Sequence, residues 1–325
     1  MSSAQDKGIF FSEEQIFTSV IKPDHAYRKL VRLVNFDLIA VELQKKYSHL
    51  GQKGIPAVRG LKAMLLQFWE DYSDREMESG VRENLAIRWF TGFSLSEKTP
   101  DHSYFGKFRK RIGTKYLADM FNSINEGLQK EGLFGNIFYF LDASSIISKS
   151  HLWKERDRAI KDGHDKLNNL IIKEYAVDSE TRWGAKSKKN IWFGYKRHTA
   201  VDMRYGLITK TTVTPANVLD YQVVEQIIPK EGYIFMDKLF DTKETERKIK
   251  ASGCSPGTIR KKNNPNKNYD LDRWRSHMRM PYESVFSRLS KRTRYRGKVK
   301  VAFQNFAESI CYNLKKAIQY LPAYN

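Results

Sequence analysis

The spacing of apolar residues changes near Gly135, and this change divides the chain into a helical part and a part built on strands. Before Gly135, apolar residues recur at the three- and four-residue intervals of amphipathic helices. After it come short, nearly continuous apolar runs, which are typical of central strands buried on both faces. With 325 residues, the chain is also longer than most single domains. We therefore expect a helical region followed by a mixed α/β domain.

Three helix starts can be recognised in the helical part. An amphipathic pattern begins at Leu61, and Ser73 with Glu76 has the form of a capping box that opens a second helix. Thr99 as N-cap and Pro100 in the first helical position predict a third helix.

The third predicted helix is strongly basic. Its apolar residues Phe105, Phe108 and Ile112 should point inward, which leaves the charged side chains largely outside. The basic residues are Lys107, Arg109, Lys110 and Arg111. Three helices ending in a basic one resemble a helix-turn-helix unit, which lays a helix in the major groove and contacts phosphates. A helical bundle with a solvated, charged face explains the pattern equally well.

The predicted domains follow from these patterns. Residues 1–56 form an N-terminal arm and helix, 57–130 a helical, helix-turn-helix-like DNA-binding region, and 135–325 the α/β domain. The glycines and proline of KYSHLGQKGIPAVRG indicate the first boundary. Residues 148–190 are polar and charged, so we expect an insertion or a mobile connection there.

The α/β part has a predictable order of elements. The runs WFGYKRHTAVD and GLITKTTVT, joined by a short turn, predict an antiparallel hairpin. Helices are expected at residues 219–228 and 242–250, and a short strand at 258–260. The tail, residues 275–320, has a helical pattern interrupted near Gly297.

Two aspartates end two of the apolar runs, FYFLD at Asp142 and YIFMD at Asp237. One such aspartate is usually a helix cap or a turn residue. Two of them at strand ends, together with Glu283 on a predicted helix, supply the hard oxygen ligands that Mg²⁺ prefers. Two such ions about 3.5–4 Å apart clamp the attacking and departing oxygens in phosphoryl transfer. We therefore predict that these three acids are catalytic and hold two Mg²⁺ ions, which Mn²⁺ can replace.

The charge balance indicates a polyanionic partner. Lys and Arg number 57 against 37 Asp and Glu, a formal net charge of +20. Nucleic acid fits better than a membrane, because no segment approaches the roughly 20 apolar residues of a spanning helix. The segment MSSAQDKGIFFSEEQ lacks the apolar core of a secretory signal, so we expect a cytoplasmic location. The two cysteines are not spaced for a disulfide framework or a zinc site.

Two further basic segments are candidates for DNA contact. In WFGYKRHTAVD, strand alternation sets Lys196 and His198 on one face, where they can reach a phosphate. A polar sheet face without DNA contact is the alternative. The run SRLSKRTRYRGKVK follows Glu283 and is expected to bind the DNA backbone in a salt-dependent way, although charge runs are often only solvated surface. Its basic residues are Arg288, Lys291, Arg292, Arg294, Arg296, Lys298 and Lys300.

These segments together resemble the DDE transposases of bacterial insertion sequences, in particular the insertion sequence five group within the insertion-sequence-four-like superfamily. The resemblance covers roughly residues 20–318 and rests on motifs in a fixed order. The helical part contributes GLKAMLLQFWEDYSDREMESGVRENLAIRWFTGF and TPDHSYFGKFRKRI. The second part contributes FYFLDAS, FGYKRHTAVD, GLITKTTVTPANVLD, YIFMDKLFD, RMPYESVF and CYNLKK.

The resemblance implies a ribonuclease-H-like, mixed-sheet catalytic core behind an N-terminal helical DNA-binding domain. The family's catalytic, metal-binding acids fall on the same three carboxylates. Arg279 occupies the arginine position of the signature around the last acid and is an implied DNA contact. Ser276 and Ser290 stand where that signature has tyrosine and lysine, so this chain departs from it at both positions.

The implied activity is binding to the ends of an insertion sequence, metal-dependent strand cleavage and strand transfer by the freed 3′-hydroxyl. The implied partners are double-stranded DNA, at terminal inverted repeats and at a target, and a second copy of the chain, as a homodimer on DNA. The cytoplasmic location would then be with the bacterial nucleoid. A non-catalytic DNA-binding regulator derived from a transposase and a simple metal-dependent DNA nuclease are the alternatives.

Overall fold

The computed structural model describes residues 11–47, 54–150 and 152–320. The first ten residues and the middle of KYSHLGQKGIPAVRG lie outside the described residues, and with them part of the predicted N-terminal arm. The chain divides into two compact units, Met1–Gly113 with Ile318–Asn325, and Thr114–Ala317. This division differs from the predicted one, which separated residues 1–56 from 57–130 and began the second domain at 135.

The first unit is helical throughout its described part. Its helices are α1 (Glu13–Val20), α2 (Ala26–Leu33), α3 (Phe36–Gln44), α4 (Ala57–Trp69), α5 (Asp74–Glu83), α6 (Leu85–Thr91) and the first part of α7 (His102–Lys130). Ser73 and Glu76 form the predicted capping box at the start of α5. Phe105, Phe108 and Ile112 are buried, as predicted for the inner face of the third helix.

The start of α7 differs from the prediction of Thr99 as N-cap and Pro100 as first helical residue. The helix begins at His102 because the carboxylate of Asp101 accepts the backbone N–H groups of Ser103 and Tyr104 at 2.8 and 3.3 Å. An aspartate in this place satisfies donors that have no partner within the helix.

A break in α7 separates the two units. Gly113 has a φ of 73° within an otherwise helical segment, a conformation that residues with a Cβ rarely adopt. The residues before Gly113 belong to the first unit and those after it to the second. The helical region predicted to end at residue 130 is therefore shared between the units.

The second unit combines one mixed sheet with helices. Its elements after α7 are β1 (Phe138–Ile147), α8 (Trp153–Lys161), α9 (Ile172–Tyr175), β2 (Arg182–Ser187), β3 (Asn190–Asp202), β4 (Leu207–Pro215), α10 (Val224–Ile227), β5 (Gly232–Met236), α11 (Lys243–Ala251), β6 (Cys254–Thr258), α12 (Tyr269–Ser287) and α13 (Lys298–Tyr320). Short 3₁₀ segments, Asp220–Val223 and Lys238–Phe240, precede α10 and α11. The sixth strand lies earlier than the predicted 258–260 and includes Pro256.

The strands are ordered β2–β3–β1–β5–β6, and β4 pairs with the part of β3 that β2 leaves free. β3 is antiparallel to all its neighbours, including the predicted hairpin partner β4. β1, β5 and β6 are parallel to one another. The predicted mixed α/β class is confirmed.

Helices cover both faces of the sheet in the second unit. On one face, Tyr139 and Leu141 of β1 pack in a buried cluster with Val224 of α10 and Ile249 of α11. On the other face, the ring of Phe140 lies 6.1 Å from that of Phe286 on α12. Each such buried side chain contributes about 1.5–3 kcal/mol relative to exposure. Successive residues of β1 therefore belong to different layers.

The segment predicted as a polar insertion or mobile connection, residues 148–190, is folded in its described part. It contains α8, α9 and the unpredicted strand β2. Ala159, Leu167 and Ile172 pack with Phe193 of β3 in a small core of their own. The segment is therefore an ordered insertion rather than a mobile connection. Among the described residues, no helix is long and apolar enough to cross a membrane.

Candidate active site

Two neighbouring parallel strands bring Asp142 and Asp237 side by side. Phe140 of β1 pairs with Phe235 of β5, and the same register continued by two residues sets Asp142 next to Asp237. β5 ends at Met236, whereas β1 continues to Ile147 along β3. Asp142 is therefore inside its strand and not at its end as predicted. It lies where β5 ends, so the edge of β1 that faced β5 has no strand partner from β5 beyond this point.

Local hydrogen bonds orient each aspartate. Asp142 Oδ1 accepts the backbone N–H of Ala143 at 2.8 Å. Asp237 is the N-cap of the 3₁₀ segment, and its Oδ1 accepts the N–H of Leu239 at 2.7 Å. Within residues 11–47, 54–150 and 152–320, neither Oδ2 atom accepts a hydrogen bond. One oxygen of each carboxylate is thus oriented by the backbone and the other is available to a ligand.

Arg279 connects the strand site to Glu283. Its Nη2 lies 3.7 Å from Asp142 Oδ2 and 3.8 Å from Oε1 of Glu283, which follows one turn later on α12. The guanidinium carbon lies 5.2 Å from the centroid of the Phe140 ring. The Arg279 side chain is only 9% exposed, whereas that of Glu283 is 58% exposed. Arg279 therefore lies between two of the predicted acids, Asp142 and Glu283.

The environment of Asp142 favours its protonated form. The pKa of this carboxyl is raised to about 6, mainly by burial and to a smaller extent by the charge of Asp237, although the N–H of Ala143 and the charges of Arg279 and Lys186 oppose the rise. A positive charge next to the Asp142 carboxyl therefore stabilises its ionised form.

The donor set fits a hard divalent cation. Aspartate and glutamate oxygens are the ligands that Mg²⁺ prefers, and two of the three carboxylates are adjacent, Asp142 on β1 and Asp237 directly after β5. In the described parts of the chain, no group of three His, Cys, Asp or Glu side chains is arranged to hold a metal ion as the side chains stand.

β3 places Lys196 and His198 on the face of the sheet opposite to Asp142. His198 pairs with Ala143, the residue after Asp142, and paired residues in an antiparallel ladder share a face. Successive side chains of a strand point to opposite faces. Neither residue can therefore join the carboxylates from this strand.

Both residues are also engaged within the second unit. His198 is fully buried, and its Nε2 lies 2.8 Å from Thr214 Oγ1. Burial lowers the pKa of His198 to about 4, which keeps it neutral. Lys196 Nζ is 3.0 Å from Asp220 Oδ1, and its side chain is 13% exposed. The predicted contacts of Lys196 and His198 with DNA are therefore wrong for this conformation, because helices cover this face of the sheet.

Arg109 is a second correction. Its guanidinium binds Asp74 through two hydrogen bonds of 2.7 and 2.6 Å and donates to Gln67 at 2.9 Å. The side chain is 14% exposed. The prediction of a DNA contact is wrong here, since Arg109 links α7 to α4 and α5. Its basic neighbours remain on the surface: Lys107, Lys110 and Arg111.

The loop between α12 and α13, residues 288–297, is basic and attached to β1. The N–H of Ile147 donates to Lys291 O at 2.8 Å, and the N–H of Thr293 donates to Ile147 O at 2.9 Å. The side chains of Arg288, Lys291, Arg292 and Arg296 are exposed, and that of Arg294 is half-buried. The strand that carries Asp142 thus also holds this loop in position.

Lys186 was not among the predicted site residues. It lies on β2 and is exposed, and its charge lowers the pKa of Asp142. No sequence signal indicated it, because β2 was not predicted and the position of this strand depends on pairing with β3.

Two family models match the chain. The model described as Transposase domain (DUF772) matches residues 15–111, and that described as Transposase DDE domain matches residues 140–314. The second match covers more than half of the chain, so this protein belongs to the DDE transposase family. It is a DNA-cleaving and strand-transferring enzyme of a bacterial insertion sequence. Its mixed sheet is a ribonuclease-H-like core. The family depends on divalent metal ions.

A curated relative and a solved structure are similar to this chain. The transposase for insertion sequence element IS1106 of Neisseria meningitidis serogroup B is 26% identical over 235 residues, which cover 68% of this chain and 80% of the relative. A cryo-EM structure of the piggyBac transposase synaptic complex with hairpin DNA aligns with a TM-score of 0.40 and 7% identity, over 91% of this chain and 74% of that one.

Proposed function

We propose that Asp142, Asp237 and Glu283 are the catalytic acids of this transposase and hold two Mg²⁺ ions, which Mn²⁺ can replace. The observation that carries the proposal is the register of β1 and β5, which sets Asp142 beside Asp237, with Arg279 connecting Asp142 to Glu283. Divalent ions bound there would stabilise the negative charge that develops on the phosphate and on the reacting oxygens.

The strands and the helix of the second unit position the three carboxylates. β1 and the end of β5 position two carboxylates, and one oxygen of each accepts a backbone N–H, from Ala143 and Leu239 respectively, which leaves the other oxygen for a metal ion. Glu283 is more exposed and approaches from the side of α12. In the proposed reaction, water displaces a 3′-oxygen at the end of the element. The freed 3′-hydroxyl then attacks the phosphorus of a target phosphodiester in line, the target's own 3′-oxygen leaves as a hydroxyl, and no covalent bond to the protein forms.

Neutral, isosteric replacements test the three acids. Asp142→Asn, Asp237→Asn and Glu283→Gln should each retain binding to labelled element ends but lose cleavage and joining to a target plasmid, because they remove metal-binding charge. Asp157→Asn, an exposed acid on α8, is the matched control and should keep full activity. Cleavage by a triple variant would overturn the assignment. Cleavage by wild type without joined products would indicate a simple nuclease, and end binding without cleavage a regulator.

We propose two separate DNA-binding surfaces, one in each unit: the exposed cations of the basic loop in the second unit, and those on α7 in the first unit. The loop cations are Arg288, Lys291, Arg292 and Arg296, with half-buried Arg294 beside them; those on α7 are Lys107, Lys110 and Arg111. The first group would hold the duplex backbone near the acids, and the second the terminal inverted repeats. We also propose that the protein belongs to the insertion sequence five group and assembles as a homodimer on DNA. Its proposed location is the cytoplasm, with the nucleoid.

A further inference from the structure

We propose that Arg279 is an internal counter-ion of the catalytic acids that a divalent cation has to displace. The inference rests on the proposed metal site and concerns how that site is kept before metal binds. Arg279 Nη2 lies 3.7 Å from Asp142 and 3.8 Å from Glu283, between one acid on the sheet and one on the helix. A positive charge therefore already lies where the acids would bind a cation.

Charge and shape, rather than hydrogen bonds, hold the guanidinium there. Both contacts to the acids exceed 3.5 Å, the outer limit of a hydrogen bond to a carboxylate. The buried Nε atom has no hydrogen-bond partner among the described residues. The Phe140 ring supports the group from one side. Few hydrogen bonds would therefore be broken when this arginine leaves the acids.

A divalent cation and the guanidinium cannot both remain between Asp142 and Glu283. At separations of a few ångströms in a partly buried site, like charges repel each other strongly because little water screens them. The displaced arginine would need a new anion, and a DNA phosphodiester suits its planar array of donors. The same side chain would thus neutralise the acids first and contact phosphate afterwards, which agrees with the expected role of Arg279 in DNA binding.

The test is the affinity of the full chain for Mn²⁺ without DNA, measured by isothermal titration calorimetry. Arg279→Met keeps an apolar side chain against Phe140 but removes the charge, so its Kd for Mn²⁺ should fall at least about tenfold relative to wild type. Arg279→Lys keeps the charge and is the matched control, with a Kd within about threefold of wild type. Unchanged or weaker binding by Arg279→Met would overturn the inference.

Thermal unfolding provides a second test. If Arg279 only supported the packing of the site, its replacement would not increase the effect of Mn²⁺ on the melting temperature. Without metal, Arg279→Met should melt at a lower temperature than wild type, and Mn²⁺ should raise its melting temperature more. Arg279→Gln serves the same purpose if the methionine variant does not fold. Adding Asp142→Asn should abolish Mn²⁺ binding in either background. Absence of binding in both wild type and Arg279→Met would overturn the metal site and this inference together, whereas equal binding overturns the inference alone.

Discussion

At the scale of single residues, the buried carboxyl of Asp142 couples the site to pH. Its pKa is raised from 3.8 to about 6, so the folded state binds a proton that the unfolded state has already released between these values. Ionisation of Asp142 therefore destabilises the fold as pH rises through this window, and the full effect is present above pH 6. Metal binding requires the ionised form, so cleavage should decline as pH falls below about 6.

Asp142→Asn removes this ionisation and should stabilise the protein at pH 8 without metal. The expected gain in the free energy of unfolding is about 1–3 kcal/mol, because the shift of the pKa is large and the group is mostly buried. The gain should vanish near pH 4, where the carboxyl is neutral in the folded state. Urea unfolding at both pH values measures it. Lower stability of the variant at pH 8 would contradict the burial argument.

Arg109 and Lys110 are adjacent in sequence but should behave differently. Arg109→Ala breaks a paired, largely buried contact with Asp74, so it should lower the free energy of unfolding by about 1–3 kcal/mol. Lys110→Ala removes an exposed charge and should weaken DNA binding while stability stays within about 0.5 kcal/mol. Urea unfolding and filter binding at several salt concentrations separate the two effects. The opposite pattern would restore Arg109 as a DNA contact.

The sequence indicated which residue types belong together but not which face of each element is covered. Two aspartates after apolar runs led to the prediction that Asp142 and Asp237 share a site, and the register of β1 and β5 sets these two residues side by side. Strand alternation grouped Lys196 with His198, yet only the packed helix layers show that this face is closed. Helical periodicity likewise placed Arg109 on the exposed face of its helix. It could not reveal the pairing with Asp74, because this acid lies 35 residues earlier on another helix.

At the scale of elements, β1 organises the second unit. Its first residues, FYFL, form a continuous apolar run, in which Tyr139 and Phe140 have strand partners on both sides. From Asp142 onward its ladder is with β3, apart from a bridge between Ile147 and Arg292 of the basic loop, and burial becomes irregular. The prediction ended the strand at Asp142 because the apolar run stops there. The backbone continues, since its ladder with β3 does not depend on apolar side chains.

The basic loop is the element whose predicted role in DNA binding is most easily measured. Combined replacement of Arg288, Lys291, Arg292 and Arg296 by Ala should weaken DNA binding and reduce the slope of log K against log salt by about one for each phosphate that the loop no longer neutralises. Lys250→Ala, which removes an exposed lysine paired with Glu246 on α11, is the control and should leave the slope unchanged. An unchanged slope in the loop variant would exclude the loop from backbone contact.

At the scale of the whole molecule, the order of helices before strands was predictable, but the division into units was not. The boundary depends on a single backbone conformation at Gly113 inside a continuous helical pattern. The insertion at 148–190 was also missed as a folded segment. Its small core depends on Phe193, which belongs to β3 and is distant from α8 in the chain. Local composition does not reveal such long-range packing.

The central claim, that three carboxylates from β1, the end of β5 and α12 form one divalent metal site, is tested most directly by a crystal structure with end DNA and Mn²⁺. Anomalous difference maps locate Mn²⁺ without reference to the protein. We predict two peaks, both coordinated by oxygens of Asp142, Asp237 or Glu283, at a phosphodiester of the bound end. Peaks ligated elsewhere, or DNA bound at the site with no Mn²⁺ on these acids, would contradict the claim.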